Sequence, residues 1–287
     1  MSDGRWPLNQ TSKVERMQLS DLTPCIVSQT ILAPYKMADR NESDSFRKAE
    51  ADGQYKRQDS AFRQEGFYDG SSHGKILKAS NQLGCPWAGR TLIVRSLKRL
   101  EAYVDISITD IELGKDGWYY TGVNASDAAD PIYGHKQLCD VYKSNNTIIN
   151  NESSEIIRML NTFPREGDDQ TRNIPDLYPE HLAHDIDTIN EEPILFVALI
   201  QGSGVYKAGF ATTQAAYTEN ATKLFQALNK VEHYLSGADR SGELRDYLCG
   251  TGKGEFTEAD VRLYVTLARF DCGHYTIFKC NWRRIKE

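Results

Sequence analysis

The sequence predicts a small α/β domain followed by an all-helical one, and three observations carry that prediction. Between residues 85 and 160 the apolar positions switch between helical spacing and strand-like alternation. A cysteine stands where the first of these helices begins, at Cys85-Pro86. Beyond about residue 200 the alternating pattern disappears and long helical faces take over. At 287 residues the chain has room for about two domains. The division read from it is a polar extension over 1–50, a first domain over 51–165 and an all-helical domain over 166–287.

Residues 1 to 50 are polar and aperiodic, with Asp, Asn, Ser and Lys scattered through them, and read as a loose extension. After Cys85-Pro86, the residues Trp87, Ala88, Leu92, Ile93, Val94, Leu97 and Leu100 fall at roughly helical spacing. Proline is well tolerated at a first helical position, because its missing N–H would lack a partner there anyway. Val104-Asp-Ile-Ser-Ile-Thr109 alternates like a half-buried strand, and Thr147-Ile-Ile-Asn150 reads as a short one. Ser153 to Leu160 reads as a helix opening on small polar residues. Further on, Tyr217, Ala221, Leu224, Phe225, Leu228, Val231 and Leu235 line one face of a helix. Thr257 is a helix N-cap with Asp260 at the third helical position, and Phe256 is placed to staple onto Val261. That last motif specifies a fold and carries no chemistry.

Hydrophobic residues make up 40% and charged residues 26%, which excludes a wholly disordered chain. The longest apolar run, Pro193-Ile-Leu-Phe-Val-Ala-Leu-Ile200, is far short of the ~18 residues of a membrane span. A net charge of −6 gives no bulk attraction to nucleic acid or to an anionic membrane. The first ten residues have no apolar core of a signal peptide. Six cysteines spread over the chain then read as reduced thiols, which makes a cytoplasmic location the expectation.

Cys85-Pro-Trp-Ala88 is the sharpest chemical signal. A thiolate at a helix N-terminus is stabilised by the free amides and partial positive charge there. Lowering a thiol pKa from about 8.5 to about 6 needs roughly 3.4 kcal/mol. A helix terminus supplies about 0.3–1, and at best about 2 kcal/mol, so further donors are required. Ala88 stands where a dithiol oxidoreductase has its second cysteine, so a mixed disulfide on Cys85 needs an external thiol such as glutathione. The alternative is a cysteine buried at a turn. In Asn150-Asn-Glu-Ser-Ser-Glu155, Glu152 and Ser153 could hold opposite ends of an amino-acid zwitterion; the alternative is plain helix capping. Cys272-Gly-His274 with Cys280 lacks zinc-site spacing, so no metal is expected, and Gly250-Thr-Gly-Lys-Gly254 reads as a turn and not as a phosphate loop.

Together these segments resemble the glutathionyl-hydroquinone reductases, the Xi-class, omega-like glutathione transferases. The resemblance runs from about residue 50 to the end. It is carried by Asp52-Gly-Gln-Tyr-Lys-Arg-Gln58, Ser60-Ala-Phe-Arg63, Cys85-Pro-Trp-Ala88, Arg90-Thr-Leu-Ile93 and Asp130-Pro-Ile-Tyr133. It continues through Asn150-Asn-Glu-Ser-Ser-Glu-Ile-Ile-Arg-Met159, Gly204-Val-Tyr-Lys-Ala-Gly-Phe-Ala211, Thr257-Glu-Ala-Asp-Val-Arg262, Arg269-Phe-Asp271 and Phe278-Lys-Cys-Asn281. It implies a thioredoxin-like N-terminal domain that binds glutathione, a helical glutathione-transferase C-terminal domain and a homodimer. Cys85 then matches the nucleophile and Tyr206 the tyrosine that exchanges a proton with the leaving hydroquinone. Trp118 matches a tryptophan flanking glutathione, and Glu152 with Ser153 match its γ-glutamyl anchors. Without the resemblance, Trp118 reads as core and Tyr206 as a loop tyrosine. The substrates implied are glutathione and quinone-derived small molecules. A general thioltransferase or dehydroascorbate reductase, or a silent binding protein of the same fold, are the other readings.

Four blocks differ from the family pattern. The strand expected before Cys85 falls in Ser71 to Gly84, which shows little alternation, and the fifth motif position is Gly89 in place of histidine. Only Lys143-Ser-Asn-Asn146 separates Tyr142 from Thr147, leaving no room for the family's cis-proline strand. Pro193 interrupts an expected helix, and the chain stops at Glu287, before the family's last helices. Both domains are therefore expected to be incomplete.

Overall fold

The computed structural model describes residues 49–56, 60, 63, 77–81, 83–131, 133–143, 150–163, 174–191, 203–237, 242 and 244–285. The chain enters its first ordered unit through β1 (Leu77–Asn81), α1 (Pro86–Leu97) and β2 (Val104–Ile108). The two strands pair in parallel, with Leu77 opposite Val104 and Asn81 opposite Ile108, so α1 is the crossover of a βαβ unit. β1 thus forms in the stretch where the sequence alternates little; its pairing with β2 decides it. α1 ends after Leu97, where Arg99 takes the left-handed region at φ 50° and the chain turns back into β2. The Arg95 guanidinium secures that return by donating to the Val104 carbonyl at 2.5 Å.

β2 does not bury the face its alternation predicts. Val104 and Ser107 are buried, while Ile106 and Ile108 are only partly so. Ser107 is tolerated inside because its hydroxyl lies 3.2 Å from the Tyr120 hydroxyl, under the loop that follows the strand. That loop leads to α2 (Leu138–Lys143), and α3 (Ser153–Asn161) then packs against α1. Of the strand predicted at Thr147–Asn150, only Asn150 lies among the described residues; it bridges Arg63 in antiparallel fashion. Residues 144–149, and the apolar run 193–200, lie outside them. No cis peptide occurs among the described residues.

The second half comprises α4 (Ala183–Glu191), preceded by a 3₁₀ turn at Glu180–Leu182, then α5 (Ser203–Gly209), α6 (Gln214–Leu235) and α7 (Glu258–Leu267). The helical spacing expected over 216–235 is the buried face of α6: Ala221, Leu224, Phe225, Leu228 and Val231 point inward. Thr213 caps that helix, its hydroxyl accepting from the Ala216 amide at 3.2 Å. α7 opens on the capping box foreseen at Thr257 and Asp260, with the Asp260 carboxylate accepting from the Thr257 amide at 2.8 Å. Phe256 and Val261 join the same apolar cluster. The glycines at 250–254 form a turn closed by the Glu255 amide on the Cys249 carbonyl, 2.8 Å.

Two apolar clusters result. One joins Val94, Leu97, Leu100, Val104, Ile157, Leu160 and Leu177. The other gathers Ile186, Val205, Leu224, Phe225, Leu228, Leu263 and Phe270 around α6. α7 serves both, sending Val261 to the first and Leu263 to the second. At its start the buried Glu258 accepts from Arg158 of α3 (2.8 Å), Arg262 (2.7 Å) and Asn190 of α4 (3.0 Å). The halves are thus tied by one carboxylate as well as by apolar packing. Among the described residues no helix is long and apolar enough to cross a membrane.

Candidate active site

Cys85 is the N-cap of α1, in extended backbone at φ −80° and ψ 120°, with Pro86 as the first helical residue. The turn follows from chemistry: a residue before proline is pushed out of helical geometry, while proline itself suits the first helical position. The side chain is partly buried. Burial pushes its pKa up, and the amides of Ala88 and Trp87 and the charges of Arg269 and Arg90 pull the other way. The net shift of Cys85 is upward, as it is at the interior thiols. Burial takes Cys249 to about 11 and Cys280 to about 12, with no cation acting on Cys280. The five described cysteines are free, and Cys25 lies outside the described residues.

Tyr206 lies on α5 and not on a loop, which corrects the reading of that segment from sequence. Its ring stacks on Trp87, with centroids 4.8 Å apart and planes 25° from parallel. Since Trp87 is two residues from Cys85, the stack brings the phenol to the thiol's end of α1. Phe278 closes the far side edge-on at 4.7 Å, and His274 packs behind Phe278 at 5.6 Å. A Cβ at Gly209 would stand 2.6 Å from the Phe278 ring, so this approach of α5 requires glycine.

Glu152 and Ser153 begin α3. Glu152 is the actual N-cap, its carboxylate accepting from the Ser154 amide at 3.3 Å and the Ser154 hydroxyl at 2.9 Å. Its other oxygen accepts from the Ser60 hydroxyl at 2.9 Å. The capping alternative therefore describes Glu152 in this structure, although a capping carboxylate still presents negative charge at the surface of the turn. The buried Ser153 hydroxyl accepts from Arg90 of α1 at 3.2 Å, which links the α3 N-terminus to the thiol's helix.

Trp118 is placed differently. Its carbonyl accepts from the Leu138 amide at 2.9 Å, and the neighbouring Tyr119 bridges Gln137. Its side chain is partly buried, and no hydrogen bond or ring contact among the described residues joins it to Cys85, Tyr206, Glu152 or Ser153. The structure thus brings Cys85 and Tyr206 together through Trp87, and Ser153 to α1 through Arg90, with no hydrogen bond or ring contact joining Trp118 to them among the described residues. It also adds Arg269, whose guanidinium reaches the Leu83 carbonyl at 3.3 Å. Local spacing gives no sign of that residue, because its partner is 186 positions away. Among the described residues no group of three or more His, Cys, Asp or Glu gathers as a metal cluster.

A family model described as the glutathione S-transferase C-terminal domain matches residues 214–284. The chain is 36% identical over 260 residues to glutathione S-transferase omega-like 2 of Schizosaccharomyces pombe, covering 82% of this chain and 78% of that one. It is 36% identical over 255 residues to glutathionyl-hydroquinone reductase PcpF of Sphingobium chlorophenolicum, covering 82% and 75%. The structure is similar to the crystal structure of the glutathione-S-transferase Xi from Phanerochaete chrysosporium, with a TM-score of 0.71 at 36% identity, over 84% of this chain and 79% of that one. With such similarity across both halves, the chain belongs to the glutathionyl-hydroquinone reductase family, the Xi-class, omega-like glutathione transferases.

Proposed function

We propose that this protein reduces glutathionyl-hydroquinones to hydroquinones through a Cys85–glutathione mixed disulfide. The observation that carries the proposal is the pairing of Cys85, at the α1 N-terminus, with the Tyr206 phenol stacked on Trp87. The family membership supports the substrate class, since one of the relatives is named for that reaction.

In the first step the Cys85 thiolate attacks the glutathione sulfur of the substrate. The new S–S bond takes the place of the sulfur–aryl bond, whose electron pair stays on the aryl carbon. Tyr206 supplies the proton that this carbon accepts, and the hydroquinone leaves. The thiolate of a second glutathione then attacks the mixed disulfide at the glutathione sulfur, releasing oxidised glutathione and restoring Cys85. Over the cycle the substrate's thioether sulfur and the thiol of the second glutathione are oxidised to the disulfide, the aryl carbon is reduced, Cys85 is unchanged, and the proton of the second thiol replaces the one Tyr206 gave. Glu152 and Ser153, at the positive end of α3, would hold the γ-glutamyl ammonium and carboxylate, with Trp118 covering the tripeptide. The first half would then be a thioredoxin-like glutathione-binding domain of about 51–165, followed by the helical domain.

Turnover of glutathionyl-menadiol with glutathione tests this. Cys85→Ser should abolish it, and Tyr206→Phe should lower kcat about 10²-fold or more, the usual contribution of a general acid. Thiol exchange on a small disulfide, unaffected by Tyr206→Phe, would instead indicate a general thioltransferase. No Cys85 adduct after exposure to oxidised glutathione would indicate a silent binding protein.

A further inference from the structure

Arg269 takes no part in the steps above, yet its placement is specific. It follows α7, where the chain passes into a π-helical turn at Phe270–His274, a deviation that occurs often at functional sites. Its Nη1 donates to the Val265 carbonyl at 3.1 Å, one turn back on its own helix. Its Nη2 crosses to the first half of the molecule and donates to the Leu83 carbonyl at 3.3 Å, two residues before Cys85. On the other side of the thiol, a Cβ at Gly89 would lie 3.0 Å from the same Nη2. Gly89 in turn donates its amide to the Cys85 carbonyl at 3.0 Å. The guanidinium therefore spans the chain reversal that has Cys85 at its apex, and the missing side chain at residue 89 makes the space for it.

We propose that Arg269 is a positioning residue for the thiol: it fastens the Leu83–Gly89 turn to the helical half and keeps a fixed positive charge beside Cys85 and Tyr206. The inference rests on the proposed reaction for its purpose, but the ionisation of Cys85 is measurable with no substrate present. The titratable groups that act on the guanidinium are Cys85, Tyr206, Cys272 and Tyr264, and His274 is held neutral near it. The other cation acting on Cys85 is Arg90, on α1 itself. Arginine suits the task because its planar fork reaches both carbonyls at once while remaining charged; a lysine keeps the charge and loses one of the two bonds.

The test is the pH profile of Cys85 alkylation by iodoacetamide in the full chain, read by mass spectrometry on the Cys85 peptide. An opposite charge at close range lowers an acidic pKa by about 1–3 units. Arg269→Met should therefore move the midpoint up by about one unit or more, and slow alkylation about tenfold below it. Arg269→Lys should fall between wild type and Arg269→Met. Gly89→Ala, which intrudes on Nη2 while keeping the arginine, should shift the midpoint in the same direction. The proposal is overturned if folded Arg269→Met stays within about 0.3 unit of wild type, or if Arg269→Lys shifts as far as Arg269→Met. Should Arg269→Met fail to fold, an unshifted Gly89→Ala overturns it. Absence of a glutathione adduct on wild-type Cys85 would sink the proposed reaction and leave the measured midpoints to decide the role of Arg269.

Discussion

Replacing Glu258 by glutamine isolates the electrostatic contact that holds α7 against α3 and α4. The side chain is 2% exposed and sits among Arg262 Nη2 at 2.7 Å, Arg158 Nη2 at 2.8 Å and Asn190 Nδ2 at 3.0 Å. Arg158 has other support: Asp187 at 2.6 Å and the face of Tyr178 at 4.1 Å. Arg262 has less: Glu258 is the carboxylate it pairs with among the described residues, its Nη2 otherwise reaches only the Ser154 carbonyl at 3.5 Å, Glu152 and Asp187 act on it without an ion pair, and its side chain is only 6% exposed. An amide in place of the carboxylate thus leaves a buried guanidinium without its paired carboxylate. Breaking a buried pair in this way costs about 3–5 kcal/mol. At about 1.4 kcal/mol per factor of ten, the unfolding equilibrium constant rises roughly 10²–10⁴-fold. Urea unfolding followed by tryptophan fluorescence should show the midpoint falling with the slope unchanged. The double variant Glu258→Leu/Arg262→Leu should lose less than the sum of its singles, since both charges go together. Glu258→Gln within about 1 kcal/mol of wild type, at constant slope, would refute the assignment.

Two buried groups of the helical half should give opposite pH dependences of stability. Burial pushes the Asp260 carboxyl up to about 6, against the amides of Leu248 and Thr257, so its contribution is full below about pH 4 and is lost as pH rises through 6. Burial pulls His274 down to about 4, aided by Arg269, so its contribution is full above about pH 6.5 and is lost as pH falls through 4. Melting curves between pH 4 and 7 should accordingly climb with pH in Asp260→Asn and decline with pH in His274→Phe; equal slopes in the two would contradict both assignments. Gly209→Ala places a Cβ 2.6 Å from the Phe278 ring and should cost about 1–3 kcal/mol by overpacking. Because Phe278 backs Tyr206, the same variant should lower the Tyr206-dependent part of turnover more than it lowers Cys85 alkylation, which single-turnover kinetics would separate.

Where the chain's chemistry is local, the sequence already contained it. Cys85-Pro86 specifies both an N-cap thiol and the helix behind it, because proline restricts the residue before it and suits the first helical turn. The capping box at Thr257 and Asp260, and the inward face of α6 from Ala221 to Val231, are likewise matters of three- and four-residue spacing. Where a contact joins distant segments, local pattern misleads or is silent. Alternation in β2 points to Ile106 and Ile108 as the inner face, yet Ser107 is inside because Tyr120 offers it a hydroxyl partner. β1 has little pattern of its own and forms by pairing with β2. Tyr206 sits in a short helix where local pattern alone points to a loop, and its place is set by Trp87, Phe278 and the glycine at 209.

The sequence by itself determined that one thiol caps a helix, and its motifs determined the family. Folding alone decided what surrounds that thiol: a phenol carried in on α5, a guanidinium delivered from beyond α7, and enough enclosure to push the sulfur toward its protonated form. The reason is physical. Capping and helical facing depend on neighbours within a turn, whereas desolvation and the field at a buried atom sum over groups that only the tertiary fold brings together.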